Sequence, residues 1–475
     1  MQMPDLGQLS SAQKDELIGM LWPLQEQVQG LAAQVVVLQE HIRRLESRLT
    51  LNSKNSSKPP GSDGLSKPAP RSLRQSGQCS MGGQKGHEGN TLRQSVRVDR
   101  VIEHQSAPMC TVCQSQLNQH EVIDKRQVFE LPALQVQVIE HHLIRSRCTC
   151  GAVHQGAWPE GVNAPAQYGA RLKALAVQLN QYHLVPLGRT GLFMQDAFGV
   201  NLSQASVQAF GQEAARALAS TVAAIGQAVQ GSPIVHADES GIRVQGKLHW
   251  RHWRHWRHWL HCAVTPVLSW LGCHAKRGPQ AFEALGGVRG TLVHDGLAGY
   301  RRFDCLHSLC NAHHLRELKF VHEQEKIWDP WAREMIELLL QANGEVAQVS
   351  GSNCWHAGRP STRRTATRAR PPGCGAGVRR ARSSTSLKRL REHRADVWRF
   401  MTDKDVPFTN NLAEQALRMS KVKQKISGGF RTVHGADTFL TIRSYLATMQ
   451  KQGACLFDCL ASAFVGQPIQ PRLSG

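Results

Sequence analysis

The sequence lacks any apolar run that approaches the roughly 18 residues of a membrane-spanning helix. Its first ten residues, MQMPDLGQLS, lack the basic and apolar regions of a secretory signal. The thirteen cysteines are odd in number and follow no export signal, so we expect reduced thiols or metal ligands and no disulfide framework. These absences predict a cytoplasmic protein without a membrane partner.

Acidic residues are also scarce. The 36 Asp and Glu face 57 Lys and Arg, which leaves a net charge of +21. A chain this basic favours a polyanionic partner, most often nucleic acid; the alternative is a chain that is basic only for solubility. Its 475 residues and 41% hydrophobic content predict several domains with cores of their own.

Two interleaved seven-residue series of apolar residues run through 17–49. They comprise Leu17, Leu24, Leu31, Leu38 and Leu45 in one series, and Leu21, Val28, Val35, Ile42 and Leu49 in the other. Such a seam predicts a coiled coil at 17–50 through which copies of the chain associate. Pro23 interrupts the first turn, so we expect the reliable part to begin near Leu24. The alternative is one amphipathic helix docked on the protein's own core.

Residues 51–100 are rich in Ser, Pro, Gly and basic side chains, which predicts a disordered linker able to lie along a phosphate backbone. The next segment, 101–160, contains the cysteine pairs Cys110-Thr-Val-Cys113 and Cys148-Thr-Cys150, with a β-like stretch between them. Four thiolates at this spacing predict a structural zinc ribbon, in which His154 can replace one ligand. The alternative is four unrelated buried cysteines.

Residues 165–230 have apolar side chains at helical spacing, with a break at Gly199 and a candidate N-cap at Ser203. This pattern fits a DNA-reading helix-turn-helix, and it fits any other helical hairpin equally well.

From residue 231 the pattern changes to strands that we expect to end at Asp238 and Asp295, and then to helices, one of which contains Glu414. The ends of parallel strands open into a crevice, so carboxylates placed there can reach a ligand. Three acids that meet there would bind two Mg²⁺ ions about 4 Å apart, as phosphodiester attack requires. The alternative is that each acid caps a helix or a turn.

Two segments do not fit this pattern. Residues 249–262, HWRHWRHWRHWLHC, repeat Arg-His-Trp with a period that suits neither a strand nor a helix. We interpret 251–259 as a tandem duplication that extrudes as a loop, while Leu260 to Trp270 keeps its register. Residues 351–385 contain eight arginines, no lysine and no acid, which is typical of a gene read out of frame; the alternative is a disordered arm that binds DNA.

Five stretches resemble the insertion sequence 66 family of bacterial transposases: HADESGIRVQGKLHW, VHDGLAGYRRFDCLHSLCNAHHLREL, VPFTNNLAEQALRMSKVKQKISGGFRTVHGADTF, LNSKNSSKPPGSDG and GGQKGHEGNTL. The order of coiled coil, linker, ribbon, helical region and core also matches. The resemblance covers nearly the whole chain except 251–259 and 351–385.

The resemblance implies a multidomain α+β protein with a ribonuclease-H-like α/β catalytic core and a helical insertion. The core would comprise 231–345 and 387–450, separated by an aberrant Arg-rich insertion at 346–386 and followed by a tail at 451–475. Asp238, Asp295 and Glu414 would form a DDE triad holding two Mg²⁺ or Mn²⁺ ions. The activity would be cutting of transposon ends and joining of their 3′ hydroxyls to target DNA.

Asn410 and Asn411 would begin the helix that contains Glu414. The resemblance leaves four basic residues of this helix as candidate phosphate contacts: Arg418, Lys421, Lys423 and Lys425. The alternative is that they form a solvated helix face. Cys310 and His313 form a C-x-x-H sequence similar to a signature of several DDE families, for which we expect a structural role without a metal.

The implied partners are double-stranded DNA of the transposon ends and target, a second copy of the chain, and accessory proteins of the same element. The irregular segments predict a damaged copy of a DNA-associated bacterial enzyme. Two alternatives stay open: a non-catalytic dimer that grips transposon ends, and a metal-sequestering protein built on the His-rich repeat.

Overall fold

The computed structural model describes residues 10–49, 92–104, 108–116, 121–244, 257–277, 287–324, 331–351 and 386–474. Most of the predicted linker lies outside these residues. So do 251–256 of the repeat and 352–385 of the Arg-rich segment.

The N-terminal region is one long helix, α1, at Ser11–Leu49. It passes through Pro23, since a proline removes one hydrogen bond of a helix whose flanking turns can continue. The start of the coiled-coil part near Leu24 stays a prediction. The apolar seam lies open, with Leu31 59% and Leu38 60% exposed. The described part of the chain therefore offers no core on which α1 docks.

Residues 92–160 contain two short antiparallel strands, β1 at Arg145–Arg147 and β2 at Val153–Gln155. The β-like stretch between the cysteine pairs forms no strand within the described residues 121–144. Apolar side chains there, such as Val138 at 90% exposure, do not pack on a core. Alternating apolar residues stabilise a strand only when one face of the strand is buried, which is not the case here.

The helical region begins with α2 at Ala170–Val177, which continues into one π-helical turn at Gln178–Tyr182. Next come α3 at Leu187–Phe198 and α4 at Gln204–Gln230. Gly199 ends α3 in the left-handed conformation, with φ at 68°, and the Ser203 hydroxyl accepts a hydrogen bond from the Ser206 N–H at 3.0 Å. The predicted break and cap are thus both present.

Five strands form one sheet: β3 at Ile234–Arg243, β4 at Arg257–Val264, β5 at Ser269–His274, β6 at Thr291–His294 and β7 at Leu306–Leu309. Their order is β5-β4-β3-β6-β7. The first three pair antiparallel, and β6 and β7 join parallel to β3. The sequence predicts a helix over 307–320, but its first residues, up to Leu309, belong to β7, because four residues are too few to show a strand period.

The remaining long helices are α5 at Asn311–Gln324, α6 at Trp331–Gly351, α7 at Asn411–Ser427, α8 at Val433–Lys451 and α9 at Leu456–Phe464. Short helical segments occupy 386–392, Arg394–Val397 and Arg399–Thr402. The segment that we treated as a tail thus contains α9, whose Cys459 and Leu460 are buried in the same cluster as α2 and α4.

Helices cover both faces of the sheet and one of its edges. On one face, Val235, Ala237 and Leu292 pack with α4, and on the other, Ile242 and Leu260 pack with α7. Helix α8 lies along the edge strand β5, where Ser444 Oγ and Thr448 Oγ1 accept hydrogen bonds from the N–H groups of Leu271 (2.9 Å) and Ser269 (3.0 Å). The described residues form a mixed α+β structure, and none of their helices is long and apolar enough to cross a membrane.

Candidate active site

Asp238 lies inside β3, so the prediction that the strand ends there is wrong. The strand continues to Arg243 because its last residues pair with β4, with Asp238 opposite Cys262. The parallel register between β3 and β6 stops at His236 and Val293, two residues before Asp238. Asp238 therefore lies beyond the parallel part of the sheet, where β3 pairs with β4 alone.

Asp295 directly follows β6, as the sequence predicts. Its Oδ1 accepts a hydrogen bond from the Leu297 N–H at 2.9 Å, across a turn in which Gly296 has φ at 91°. A side chain at Gly296 would be strained in that conformation. The turn therefore holds the Asp295 carboxylate at the end of the strand.

Glu414 lies in the first turn of α7, which begins at Asn411 as predicted. Its side chain is 30% exposed, and its Oε1 lies 3.5 Å from an Arg316 guanidinium nitrogen and 3.9 Å from His313 Nδ1. Both neighbours come from α5, so Glu414 lies where α5 and α7 meet.

The three acids act on one another although they come from three separate elements. Burial, and after it the negative charges of Glu239, Asp295 and Glu414, together raise the pKa of Asp238 to about 8. A carboxyl group among like charges keeps its proton until a cation or a higher pH removes it. Asp295 and Glu414 are thus near enough to influence the charge of Asp238, but the carboxylate oxygens of the three acids do not all lie within 4.8 Å of one another.

Asn410 connects the strand of Asp238 to the helix of Glu414. It is 1% exposed, and its Nδ2 donates to the Ala237 carbonyl at 2.7 Å, while its Oδ1 lies 3.0 Å from His236 Nδ1. Its own N–H donates to Cys310 Sγ at 3.2 Å. The residue therefore fixes the start of α7 against β3 immediately beside Asp238.

Glu239 is a buried acid whose role the sequence did not indicate. Side chains alternate along a strand, so it faces away from Asp238, into the face that contains Val235 and Ala237. Tyr300 Oη donates to it at 2.7 Å, and Arg277 donates twice, at 2.7 and 3.1 Å. The adjacent pair of acids was visible in the sequence, but the partners of Glu239 are distant along the chain.

The end of the Arg-His-Trp repeat belongs to the sheet. Arg257, His258 and Trp259 pair with Arg243, Ile242 and Gly241 of β3, so the prediction that 251–259 extrude as a whole is wrong for these three residues. β4 needs them because β3 extends beyond Asp238. The guanidinium of Arg277 lies 4.7 Å from the Trp259 ring centre, a cation–π contact that helps to hold Arg277 on Glu239.

Cys310 and His313 lie beside Glu414. Cys310 directly precedes α5 and is buried, and its N–H donates to the His294 carbonyl at 2.9 Å. Burial raises the pKa of the Cys310 thiol. One potential ligand atom from each of Cys310, His313 and Glu414 lies within 4.8 Å of the others. Within the described residues, this is the one group of three or more such side chains so close together.

The four cysteines predicted to bind zinc form two separate pairs. Hydrogen bonds, first to Ser115 and then to Cys110, lower the pKa of Cys113 to about 7. Hydrogen bonds to Cys150 lower the pKa of Cys148, and both residues lie in the turn between β1 and β2, just before His154. The two pairs do not come within ligand distance of one another, so the zinc ribbon stays a prediction.

The basic side chains of α7 divide into two groups. Lys421 Nζ donates to the Gly241 carbonyl at 2.6 Å and so ties the helix to β3, and burial lowers the pKa of Lys423. Arg418 and Lys425 are exposed, and their spacing places them on the same helix face as Glu414.

Comparison with protein families identifies two matches. A model described as a family of unknown function (DUF6444) matches residues 1–93. A model described as Transposase IS66 family matches residues 165–438, which include all three acids. No curated protein matches the chain. The second family match spans more than half of the 475 residues. The chain therefore belongs to the IS66 family of transposases.

Proposed function

We propose that this transposase acts through a DDE triad of Asp238, Asp295 and Glu414 on a ribonuclease-H-like core. The convergence of three acids from β3, the end of β6 and α7 is the observation on which the proposal depends. A five-stranded mixed sheet covered by helices supports the core assignment. The hydrogen bonds of Asn410 support it too, because they fix two of the three elements together.

The donor set fits a hard divalent cation. Carboxylate oxygens are the ligands that Mg²⁺ and Mn²⁺ prefer, and Asp238, Asp295 and Glu414 would hold two such ions. Burial and, after it, the neighbouring negative charges raise the pKa of Asp238, and a bound cation would oppose both effects. Bound in pairs, these ions activate an attacking oxygen and stabilise a leaving oxygen at phosphorus.

The reaction would proceed by two in-line displacements. In the first, water attacks a phosphodiester at the transposon end and releases a 3′ hydroxyl. In the second, that hydroxyl attacks a phosphodiester of the target strand, so a new oxygen–phosphorus bond forms as the target's own bond breaks. The Gly296 turn would keep Asp295 aimed at the site, and the contact with Arg316 would help to hold the Glu414 side chain.

The partners would be the DNA of the transposon ends and of the target. Arg418 and Lys425 would contact phosphates beside Glu414, because they share its helix face. The hairpin of α3 and α4 is compatible with reading DNA, although the first nine residues of α4 contain no Lys or Arg. Copies would associate through α1, and closure of the two cysteine pairs around one Zn²⁺ would complete the ribbon.

The Arg-rich segment, 351–385, would interrupt a helical insertion whose two sides are α6 and the short helices from residue 386 onward. Trp331 and Leu339 of α6 pack with Leu390 and Val397 from beyond the segment. The two sides thus share one core, as the sides of a single insertion would. We infer two compensating frameshifts between them; unchanged strand transfer after restoring a family-like segment would contradict damage.

The decisive experiment is cleavage of a supercoiled plasmid bearing the DNA that borders this gene on each side. With Mg²⁺, the wild type should nick the plasmid at those borders, and Asp295→Asn should lower the rate at least 100-fold, because one metal-holding carboxylate is lost. Asp304→Asn is the matched control, since Asp304 is exposed and nine residues away. It should cut like the wild type.

Tight binding of the borders without Mg²⁺-dependent cutting would support the alternative of a non-catalytic dimer that recognises transposon ends. Equal cutting by the wild type and Asp295→Asn would contradict the triad.

A further inference from the structure

We propose that Cys310, His313 and Glu414 form a site for Zn²⁺, and that zinc bound there withdraws Glu414 from the magnesium triad. The three side chains come from the end of β7, the first turn of α5 and the first turn of α7. The inhibitory effect rests on the proposed DDE function, whereas binding of zinc does not.

The donors suit zinc better than magnesium. Thiolate sulfur, imidazole nitrogen and one carboxylate oxygen are common zinc ligands, and three protein ligands leave a fourth position for water. Magnesium requires oxygen donors and has little affinity for sulfur. The triad and this site would therefore select different ions while they share Glu414.

The geometry is close to what a tetrahedral ion requires. Ligands about 2.0 to 2.3 Å from a zinc ion lie about 3.5 Å from one another. The present donor atoms lie within 4.8 Å of one another, so they must approach by about 1 Å, which a rotation of the partly exposed Glu414 can supply. Cys310 is held in place on two sides, by the His294 carbonyl and by the Asn410 N–H.

One ligand atom lacks a partner at present. His313 Nδ1 is buried without a hydrogen bond, and it lies 3.9 Å from Glu414 Oε1. A buried ring nitrogen normally has a partner, and a zinc ion between these atoms would supply one. Zinc would have to displace the Arg316 contact with Glu414. Around His313, Asp295 and Glu414 contribute two negative charges against the positive charge of Arg316, so the local charge favours a cation.

The direct test is the zinc content of the purified full-length protein after dialysis against micromolar Zn²⁺. Cys310→Ser and His313→Gln should each contain one equivalent less than the wild type. Cys305→Ser is the matched control, because Cys305 is a partly buried thiol outside the site, and its zinc content should be unchanged. Zinc held by the four N-terminal cysteines is the same in every variant and cancels in the comparison.

The functional test adds Zn²⁺ to the Mg²⁺-dependent plasmid cleavage. Micromolar zinc should lower the wild-type rate at least tenfold, and His313→Gln should resist inhibition. Equal zinc content in the wild type, Cys310→Ser and His313→Gln would overturn the site, and bound zinc without inhibition would overturn its effect on Glu414. A protein that binds the extra zinc but never cuts DNA would instead contradict the DDE function alone.

Discussion

At the scale of single residues, the carboxyl group of Asp238 couples the stability of the metal-free protein to pH. Its pKa is about 8 in the folded state and near 3.8 when exposed. Between these values the folded state keeps a proton that the unfolded state releases, so the free energy of unfolding falls as pH rises, by at most about 1.4 kcal/mol per unit. Asp238→Asn removes this dependence.

We therefore expect Asp238→Asn to gain stability over the wild type as pH rises from 5 to 8, by about 1 to 3 kcal/mol. Urea unfolding at several pH values, without added divalent cations, measures the difference. Added Mg²⁺ should stabilise the wild type at pH 8 and leave Asp238→Asn unaffected. Asp304→Asn should follow the wild type throughout, and a gap that does not change with pH would contradict the shifted pKa.

Asn410 is a positioning residue in the proposed site. Asn410→Ala removes both side-chain hydrogen bonds to β3 and leaves a cavity, which should cost about 1 to 3 kcal/mol of unfolding free energy. Because α7 then loses its fixed start, the rate of plasmid cleavage at saturating DNA should fall at least tenfold with DNA affinity unchanged.

The matched control is Asn411→Ala, since Asn411 is the exposed neighbour at the start of the same helix. It should cut normally. A rate loss in Asn410→Ala that disappears when stability is restored by lower temperature would indicate a purely structural role.

At the scale of elements, the sequence predicted what local pattern determines. The helices α5, α6 and α7 have clear apolar spacing, and Asp295 directly follows an apolar run that becomes β6. The end of β3 could not be predicted, because the length of its partner β4 determines it. The contacts of Glu239 and Asn410 could not be predicted either, since each joins residues more than 30 positions apart.

The repeat lengthens the link between β3 and β4, and its last residues, 257–259, pair with β3 as the start of β4. The link from β3 to β4 has thirteen residues, 244–256. Because the repeat is periodic, removing 251–259 yields the same sequence as removing 249–257. The shortened protein thus keeps His258 and Trp259 in β4 and has a four-residue link, a usual length for a hairpin.

We expect deletion of 251–259 to leave the free energy of unfolding unchanged or to raise it by about 1 kcal/mol, the entropy of closing the longer loop. The deletion also removes Arg257 from its place opposite Arg243. Urea unfolding tests this, with Trp259→Ala as the contrast, because that change removes the ring on which Arg277 lies. A loss above about 2 kcal/mol on deletion would show that the repeat stabilises the fold.

At the scale of the whole molecule, the chain has a shared core and an N-terminal part whose described residues contribute nothing to it. Helices α2, α4 and α9 pack in one cluster with the sheet, so the helical region and the candidate site form one body. None of the three hydrophobic clusters of the described residues includes α1 or 92–160. The apolar seam of α1 is therefore available to a second copy of the chain.

The last prediction concerns this seam. Leu31→Asp combined with Leu38→Asp should convert the protein from a dimer or larger assembly to a monomer, because burial of each leucine between helices contributes about 2 kcal/mol that an aspartate forfeits. Light scattering after size-exclusion chromatography measures the mass. The matched control, Gln29→Asp with Ala33→Asp, adds the same charge to exposed positions outside the seam and should leave the assembly intact.

Assembly and cutting can then be separated. If α1 joins two copies that each hold one transposon end, the monomeric variant should still nick a plasmid with one border and should fail to join two borders in one event. Its unchanged mass would mean that the exposed leucines of α1 serve another partner. Loss of single-border nicking would mean that each active site depends on the second copy. We do not expect this, because the proposed triad lies within one chain.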